Sequence, residues 1–513
     1  MVLDPSPALR LWAQWRRARL ARQDAASTQR RVLAGLLHRA AGTAFGRAHD
    51  FASIRSVEDY QRRVPLRTYE AFWRDWWHAA FPHVGGVTWP GRIRYFANSS
   101  GTTQASTKRI PLSDAMVRAN RLAALDTLAW HFAARPASRM LAGDGIFLGG
   151  STRLEALAPG VQAGDLSGIA AVERPSWARG RVLPPEPLAQ LTDWREKMDA
   201  LASLALDRRV TSISGTASWM LLFFETAAAL RRPRDRLREL FPQIELLVHG
   251  GVGFDPYRDR FACWMEGSAA LTREVYAASE GFIAVADRGD GEGMRLLLDR
   301  GLFFEFVRPA ELDSATPDRR WIANADPDQE YALVLTTHSG LWSYVLGDTV
   351  RLVSRDPSRE PPRILITGRT SWSLSVAGEH LIGAELDAAV SEAARRVGCH
   401  VVEYSVAPLR PDGRDARAGH LFAVELDGPA DPAAFGRVLD EALAHVNQDY
   451  AAHRADDFGL RRPEIRLLGP GSFVRWMQRR GKLGAQNKVP RVVAGPEALS
   501  DLLAGTEAGR ADT

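Results

Sequence analysis

Cysteine is nearly absent from this 513-residue chain: Cys263 and Cys399 stand far apart, with no CxxC pair. A disulfide framework and a cysteine-built zinc site are therefore excluded, and a cytoplasmic location is expected. Long hydrophobic runs are missing too. Stretches such as Trp219 to Phe224 fall far short of the roughly 20 apolar residues needed to cross a bilayer, so no membrane span is expected. The Arg-rich start, MVLDPSPALRLWAQWRRARLARQ, lacks the apolar core and small-residue cleavage site of a secretory signal and is expected to form a surface helix.

Runs of one charge sign are also lacking. The formal net charge is +5 and the pI about 9.4, but basic and acidic residues are interspersed, which reads as a solvated surface and not as a nucleic-acid footprint. Lysine is the scarcest charge. Only Lys108, Lys197, Lys482 and Lys488 occur among 66 basic residues, so a lysine can mark a place that needs a slim point charge and not a planar fork. Lys197, in LTDWREKMDAL, is expected on a helix surface; the other three lie in Gly-, Ser- or Pro-punctuated segments. HExxH, GxSxG, a properly placed GxGxxG and a Walker A spacing are all absent, which removes support for zincin, serine-hydrolase, dinucleotide and P-loop chemistry.

What is present is an ordinary globular composition, 45% hydrophobic and 25% charged, long enough for about three domains' worth of core. Residues 1 to about 80 carry apolar residues at helical spacing, and 90 to 370 alternate helices with short β runs. FIAVAD, RGDGEG and MRLLLD predict a β-hairpin. A composition change follows GRTSWS at 368–373. Beyond it come a helix near 381–397, the strand VVEYSVAPL, a polar turn, the strand LFAVEL and a helix through AAFGRVLDEALAHVNQDYAAHR, a βαβ-like set of its own. The last ten residues, AGTEAGRADT, are expected to fray.

Four segments carry candidate chemistry. In NSSGTTQASTKRIPLS, the hydroxyls and backbone N–H groups of Ser99, Ser100, Gly101, Thr102 and Thr103 can wrap a phosphate and Lys108 can add charge, although such a run can equally be a turn. VYAASEG places Tyr276, Ser279 and Glu280 at a strand end, where a carboxylate can hold Mg²⁺ or simply face solvent. In WSYVLGDTV, Asp348 can accept from a ribose diol or merely close a turn. Lys482 and Lys488, in RRGKLGAQNKVPR, can supply transition-state charge or sit on a basic surface loop. His249, in VHGG, is expected as a turn or packing histidine.

The ordered set of segments resembles the auxin-responsive Gretchen Hagen family of acyl acid amido synthetases, specifically its bacterial relatives, within the adenylate-forming superfamily. The segments are SSGTTQASTKRIP from 99, GDLSGI at 164–169, HGGVGFDPY at 249–257, VYAASEGF at 275–282, GLFFEF at 301–306, TTHSGLWSYVLGDTV at 336–350, ITGRT at 366–370 and GKLGAQNKVPR at 481–491. The resemblance implies an α/β fold: a large N-terminal domain, 1–368, with a β-barrel and helix-flanked sheets, and a small mobile α+β domain, 369–513, hinged near Arg369. It implies that ATP and Mg²⁺ are used, with Ser99, Ser100, Gly101, Thr102 and Thr103 on the phosphates. Tyr276 would stack on adenine near Gly250 and Gly251, with Ser279 in the same motif. Glu280 would bind Mg²⁺, Asp348 the ribose, and Lys108 and Lys488, or alternatively Lys482, would serve adenylation. The chain departs from the family pattern at Ala105, Ser106 and Val345, and at Glu379 and His380 after the hinge. The implied reaction joins a small carboxylic acid through an acyl-AMP to an amine, an amino acid foremost, in a monomer or weak dimer without nucleic-acid or membrane partners. The alternatives are an acyl-CoA synthetase and a nucleotide-binding relative without turnover.

Overall fold

The computed structural model describes residues 4–99, 108–149, 152–174, 180–191, 194–231, 236–251, 253–354, 360–370, 374, 381–409, 418–454, 460–482, 488–493 and 495–507. The N-terminal region is helical, as its spacing predicts, beginning with α1 (Ser6–Ala21) and α2 (Ala25–Ala40). Asp24 caps α2 by accepting from Ser27 N–H, and the buried stripe Ala25, Gln29, Leu33, Leu36, Leu37 and Ala40 follows the helical repeat. α1 is more than a surface helix. Its Arg16 is buried, paired to Asp126 at 2.7 Å and to Asp299 at 2.7 Å, which anchors one face while Leu11 and Trp15 stay exposed.

Strands follow as β1 (Ile93–Ser99), β2 (Lys108–Ser113), β3 (Asp144–Phe147), β4 (Glu155–Ala158), β5 (Val161–Asp165) and β6 (Val182–Leu183). Next come β7 (Val210–Gly215), β8 (Leu246–Gly250), β9 (Leu271–Ala278), β10 (Gly281–Val285), β11 (Met294–Leu296), β12 (Leu302–Val307) and β13 (Arg319–Trp321). β14 (Glu330–Thr337), β15 (Tyr344–Leu352) and β16 (Arg363–Arg369) complete this region. Two sheets result, of order β2-β1-β5-β4 and β13-β12-β14-β15-β16-β11-β10-β9-β8-β7-β3-β6. β10 and β11 pair antiparallel as the hairpin the sequence predicts. Every residue of β12 is buried, so its one charge, Glu305, is matched by the Arg319 fork of β13 at 2.8 Å.

The described residues pack as two units. The larger holds Met1–Thr216, Phe223–Gly251 and Gly267–Leu365; the smaller holds Ala217–Leu222, Val252–Glu266 and Ile366–Thr513. The stretch 252–266 joins the smaller unit without any change of composition to announce it. Within that unit, β17 (Val401–Leu409), β18 (Gly419–Leu426) and β19 (Glu464–Leu468) form a three-stranded sheet. The first pair is antiparallel and the second parallel, as a βαβ crossover requires. A helix over Gly383–Arg396 and another over Pro432–Val446 bury Leu386, Val390, Phe435 and Leu439 in one core with the sheet. The final helix runs over Ser500–Glu507, so the tail is ordered further than expected; 508–513 lie outside the described residues.

One sequence expectation needs correcting. Lys197 is not a surface residue. In the helix Trp194–Leu206 it lies one turn before Leu201 and is buried, with Nζ donating to the carbonyls of Gly149 and Ala189 at 3.3 Å each, and burial pushes its ammonium pKa down. His249 is the packing histidine of the two expected alternatives, buried within β8 with its Nε2 3.4 Å from Asp290.

His131 supplies a pH test of this core. Burial, with the Arg273 and Arg135 charges behind it, pushes its imidazole down to about 4 from 6.5, and its Nε2 lies 3.0 Å from Ser138 Oγ. Between those values the unfolded chain takes up a proton that the native state refuses, so acidification through this window destabilises the fold. Urea unfolding of wild type and His131→Gln should therefore show the wild-type advantage shrinking by about 2 kcal/mol from pH 6.5 to pH 5. A difference that does not change with pH would mean that the folded protein binds this proton as readily as the unfolded chain does.

Candidate active site

β1 and β2 form a hairpin whose last cross-strand pair is Ser99 and Lys108. The hydroxyl-rich run between them, with Ser100, Gly101, Thr102, Thr103, Ala105 and Ser106, lies outside the described residues. Lys108 holds Glu70 at 3.2 Å, and its ammonium stands 5.4 Å from the centre of the Tyr69 ring. An acidic partner for Lys108 is thus already in place, which its motif alone did not indicate.

The turn between β9 and β10 is the pair Ser279 and Glu280. Ser279 Oγ donates to the Asn98 carbonyl at 3.3 Å, tying this turn to the end of β1 from which the hydroxyl-rich run departs. Glu280 is buried and accepts a hydrogen bond from Tyr344 Oη at 3.2 Å. Burial first, then the Glu280 charge, raises the Tyr344 phenol well above its ordinary pKa, so it remains a donor. Tyr344 is a functional candidate that sequence reasoning missed. It opens the same YVLGD strand as Asp348, but only the pairing of distant strands brings it to Glu280.

Asp348 sits on a bulge. Ala332 pairs with Thr349 and Val334 with Val345, so a single residue of β14 faces Leu346, Gly347 and Asp348 of β15. Gly347 takes φ +93°, which a side chain would strain. Asp348 accepts from Tyr276 Oη at 2.5 Å, so two positions predicted for nucleotide binding are in direct contact. Gly250 closes the same corner: a Cβ there would collide with the Val275 carbonyl, leaving room only for glycine beside the strand that carries Tyr276. Gly251 follows with φ +85°.

The donor set suits an ion that arrives with phosphates. Magnesium binds through one or two carboxylates plus substrate oxygens, and Glu280 is a carboxylate in the turn tied to the β1–β2 hairpin. Among the described residues no cluster of three or more His, Cys, Asp or Glu forms a cage of its own. The remaining predicted positions belong to the smaller unit. Arg369 ends β16 half-buried, and Lys482 and Lys488 are both exposed. No helix among the described residues is long and apolar enough to cross a membrane.

Residues 15–152 match the GH3 family N-terminal domain, 295–369 its central domain and 384–497 its C-terminal domain. An indole-3-acetic acid-amido synthetase, GH3.8, of Oryza sativa subsp. indica is 28% identical over 332 residues, covering 59% of this chain and 54% of that protein. A GH3 domain-containing protein of Mus musculus is 26% identical over 309 residues, covering 57% and 56%. The chain thus spans about half the length of the curated relatives it matches. Among solved structures, the GH3.15 acyl acid amido synthetase superposes with a TM-score of 0.77 at 18% identity, over 99% of this chain and 97% of that one. A 2-hydroxyisobutyryl-CoA ligase in its postadenylation state gives 0.59 at 18% identity, over 94% and 91%. At these identities the superpositions establish the fold, mixed α/β with large sheets and a small C-terminal α+β sheet. Matched by the family's N-terminal, central and C-terminal domains over more than half its length, the chain belongs to the GH3 family.

Proposed function

We propose that this protein is an ATP-dependent acyl acid amido synthetase, which adenylates a small carboxylic acid and passes the acyl group to an amine, an amino acid foremost. The observation that carries the reading is the Tyr276 to Asp348 hydrogen bond at 2.5 Å, beside the Gly250 and Gly251 corner and on the strand that leads to Glu280. Family membership and the adenylated ligand named for the CoA ligase structure of the same fold support it.

In this reading the carboxylate of the acid attacks the α-phosphorus of ATP and pyrophosphate leaves, giving the acyl-AMP. The amine then attacks the acyl carbon and AMP departs. Asp348 holds the ribose diol while the Tyr276 hydroxyl keeps the carboxylate oriented. Glu280, aligned by Tyr344, holds Mg²⁺, which when bound neutralises phosphate charge. Lys488 supplies positive charge to the first step, and rotation of a C-terminal domain near Arg369 would let one pocket serve both steps. Positioning and electrostatics then do most of the work on phosphorus.

The nucleotide products test the class. With a panel of carboxylic acids and amino acids, phosphorus NMR of the turnover mixture should show AMP and pyrophosphate. ADP and phosphate as the main products would move the protein to carboxyl-phosphate chemistry. Adding coenzyme A in place of amino acids separates amide from thioester formation.

A further inference from the structure

The smaller unit contains a buried charged cluster that the proposed chemistry does not use. Arg491, three residues after Lys488, is buried together with Tyr257, Asp387, Glu403 and Tyr404. Its guanidinium donates to Glu403, to the Tyr404 carbonyl at 3.1 Å and to Tyr257 Oη at 3.1 Å, and its Nε lies 3.2 Å from Asp387 Oδ1. Tyr257 Oη in turn donates to Glu403 at 3.1 Å, and Tyr404 Oη to Asp387 at 2.6 Å. The Tyr404 ring lies 4.4 Å from the guanidinium. The backbone around Arg491 is fixed too: Val406 N–H donates to the Arg491 carbonyl at 2.7 Å, Val493 N–H to the Val406 carbonyl at 2.9 Å, and Ser405 Oγ to the Pro490 carbonyl at 2.6 Å. On the other side Gly253 is pressed so close to Asp387 that a Cβ would collide with the carboxylate.

These contacts join two stretches that the motifs leave unrelated. One is 490–493, which follows Lys488 and runs beside β17. The other is 253–257, which begins two residues after Gly251 in the chain. We infer that Arg491 is a positioning residue for adenylation: its buried fork registers the segment carrying Lys488 on β17 and locks it to the stretch that follows the nucleotide-side glycines. The inference rests on Lys488 acting in the first half-reaction. A lysine could not replace the fork, because one ammonium cannot reach Glu403, Asp387, Tyr257 and a carbonyl in their separate directions.

The test uses the full chain, with Arg491→Lys and Tyr257→Phe compared with Lys488→Ala and with Arg395→Ala, an exposed control. Tyr257→Phe keeps every charge and so remains informative if Arg491→Lys fails to fold. Hydrogen exchange of the peptide spanning 488–493 should accelerate about tenfold or more in Arg491→Lys and less in Tyr257→Phe. With the acid that releases most pyrophosphate in the panel, single-turnover acyl-AMP formation should fall on the order of tenfold in Arg491→Lys. Conversion of the synthetic adenylate with amine should stay within about twofold of wild type. Equal loss in both half-reactions, or faster exchange with adenylation intact, would overturn the positioning role. Adenylation lost in Lys488→Ala but not in Arg491→Lys overturns the inference alone; adenylation intact in Lys488→Ala overturns the role of Lys488 and the inference with it.

Discussion

Lys488→Ala is expected to slow acyl-AMP formation by roughly a hundredfold or more, the scale for deleting one electrostatic contact made in a transition state. Synthetic acyl-AMP supplied with amine should still be converted. The asymmetry follows from the proposed division of labour, in which the lysine is needed at the α-phosphate only while pyrophosphate leaves. Lys482, six residues earlier and also exposed, is the control. Its position follows the helix Ser472–Arg479, and its N–H closes that helix by donating to the Met477 carbonyl at 2.9 Å, whereas Lys488 lies next to the strand-like segment 490–493. Lys482→Ala should therefore be mild. Single-turnover assays begun from acid plus ATP, and separately from the adenylate, measure the two steps. Equal losses in both for Lys488→Ala, or a severe loss only for Lys482→Ala, would remove the assignment.

The second large effect belongs to the carboxylates of the larger unit. Asp348→Ala should weaken ATP binding by about 1.5 to 3 kcal/mol, ten- to a hundredfold, the usual loss for a charge-assisted hydrogen bond. Because Tyr276 Oη donates to Asp348 at 2.5 Å, Tyr276→Phe should reproduce part of that loss, and the double variant should lose less than the sum. Glu280→Gln keeps an acceptor for Tyr344 but removes the charge, so its adenylation defect should be relieved in part by raising Mg²⁺, which Asp348→Ala should not show. Calorimetry of ATP binding and a magnesium titration of the rate separate the two. Wild-type behaviour of both variants would reduce Glu280 and Asp348 to turn residues.

A good part of the fold is legible in local side-chain patterns. The β17 strand VVEYSVAPL, the β10–β11 hairpin and the helices of the first 80 residues follow from periodicity, a property of residues two to four apart. The scarcity of lysine also points to special positions, and three of the four lie in motif segments. The fourth, Lys197, misleads. A charged residue within a helix is normally solvated, and its burial against two backbone carbonyls depends on the loops that happen to cover it.

The candidate site divides in the same way. Ser99, Glu280 and Asp348 are identifiable as residues because each belongs to a short segment with a recognisable pattern. Which of them meet is not. Tyr276 meets Asp348 across 72 residues, Tyr344 meets Glu280 across 64, and Arg491 meets Tyr257 across 234. The sequence by itself determined which side chains could perform the chemistry and which stretches would be strand or helix, since both rest on residue type and near-neighbour spacing. Only the tertiary structure decided which carboxylate each phenol would hold and where the segment after Lys488 would be anchored. Those choices depend on which distant strands pair, and on a buried charge having to find its counter-charge wherever the folded chain brings one.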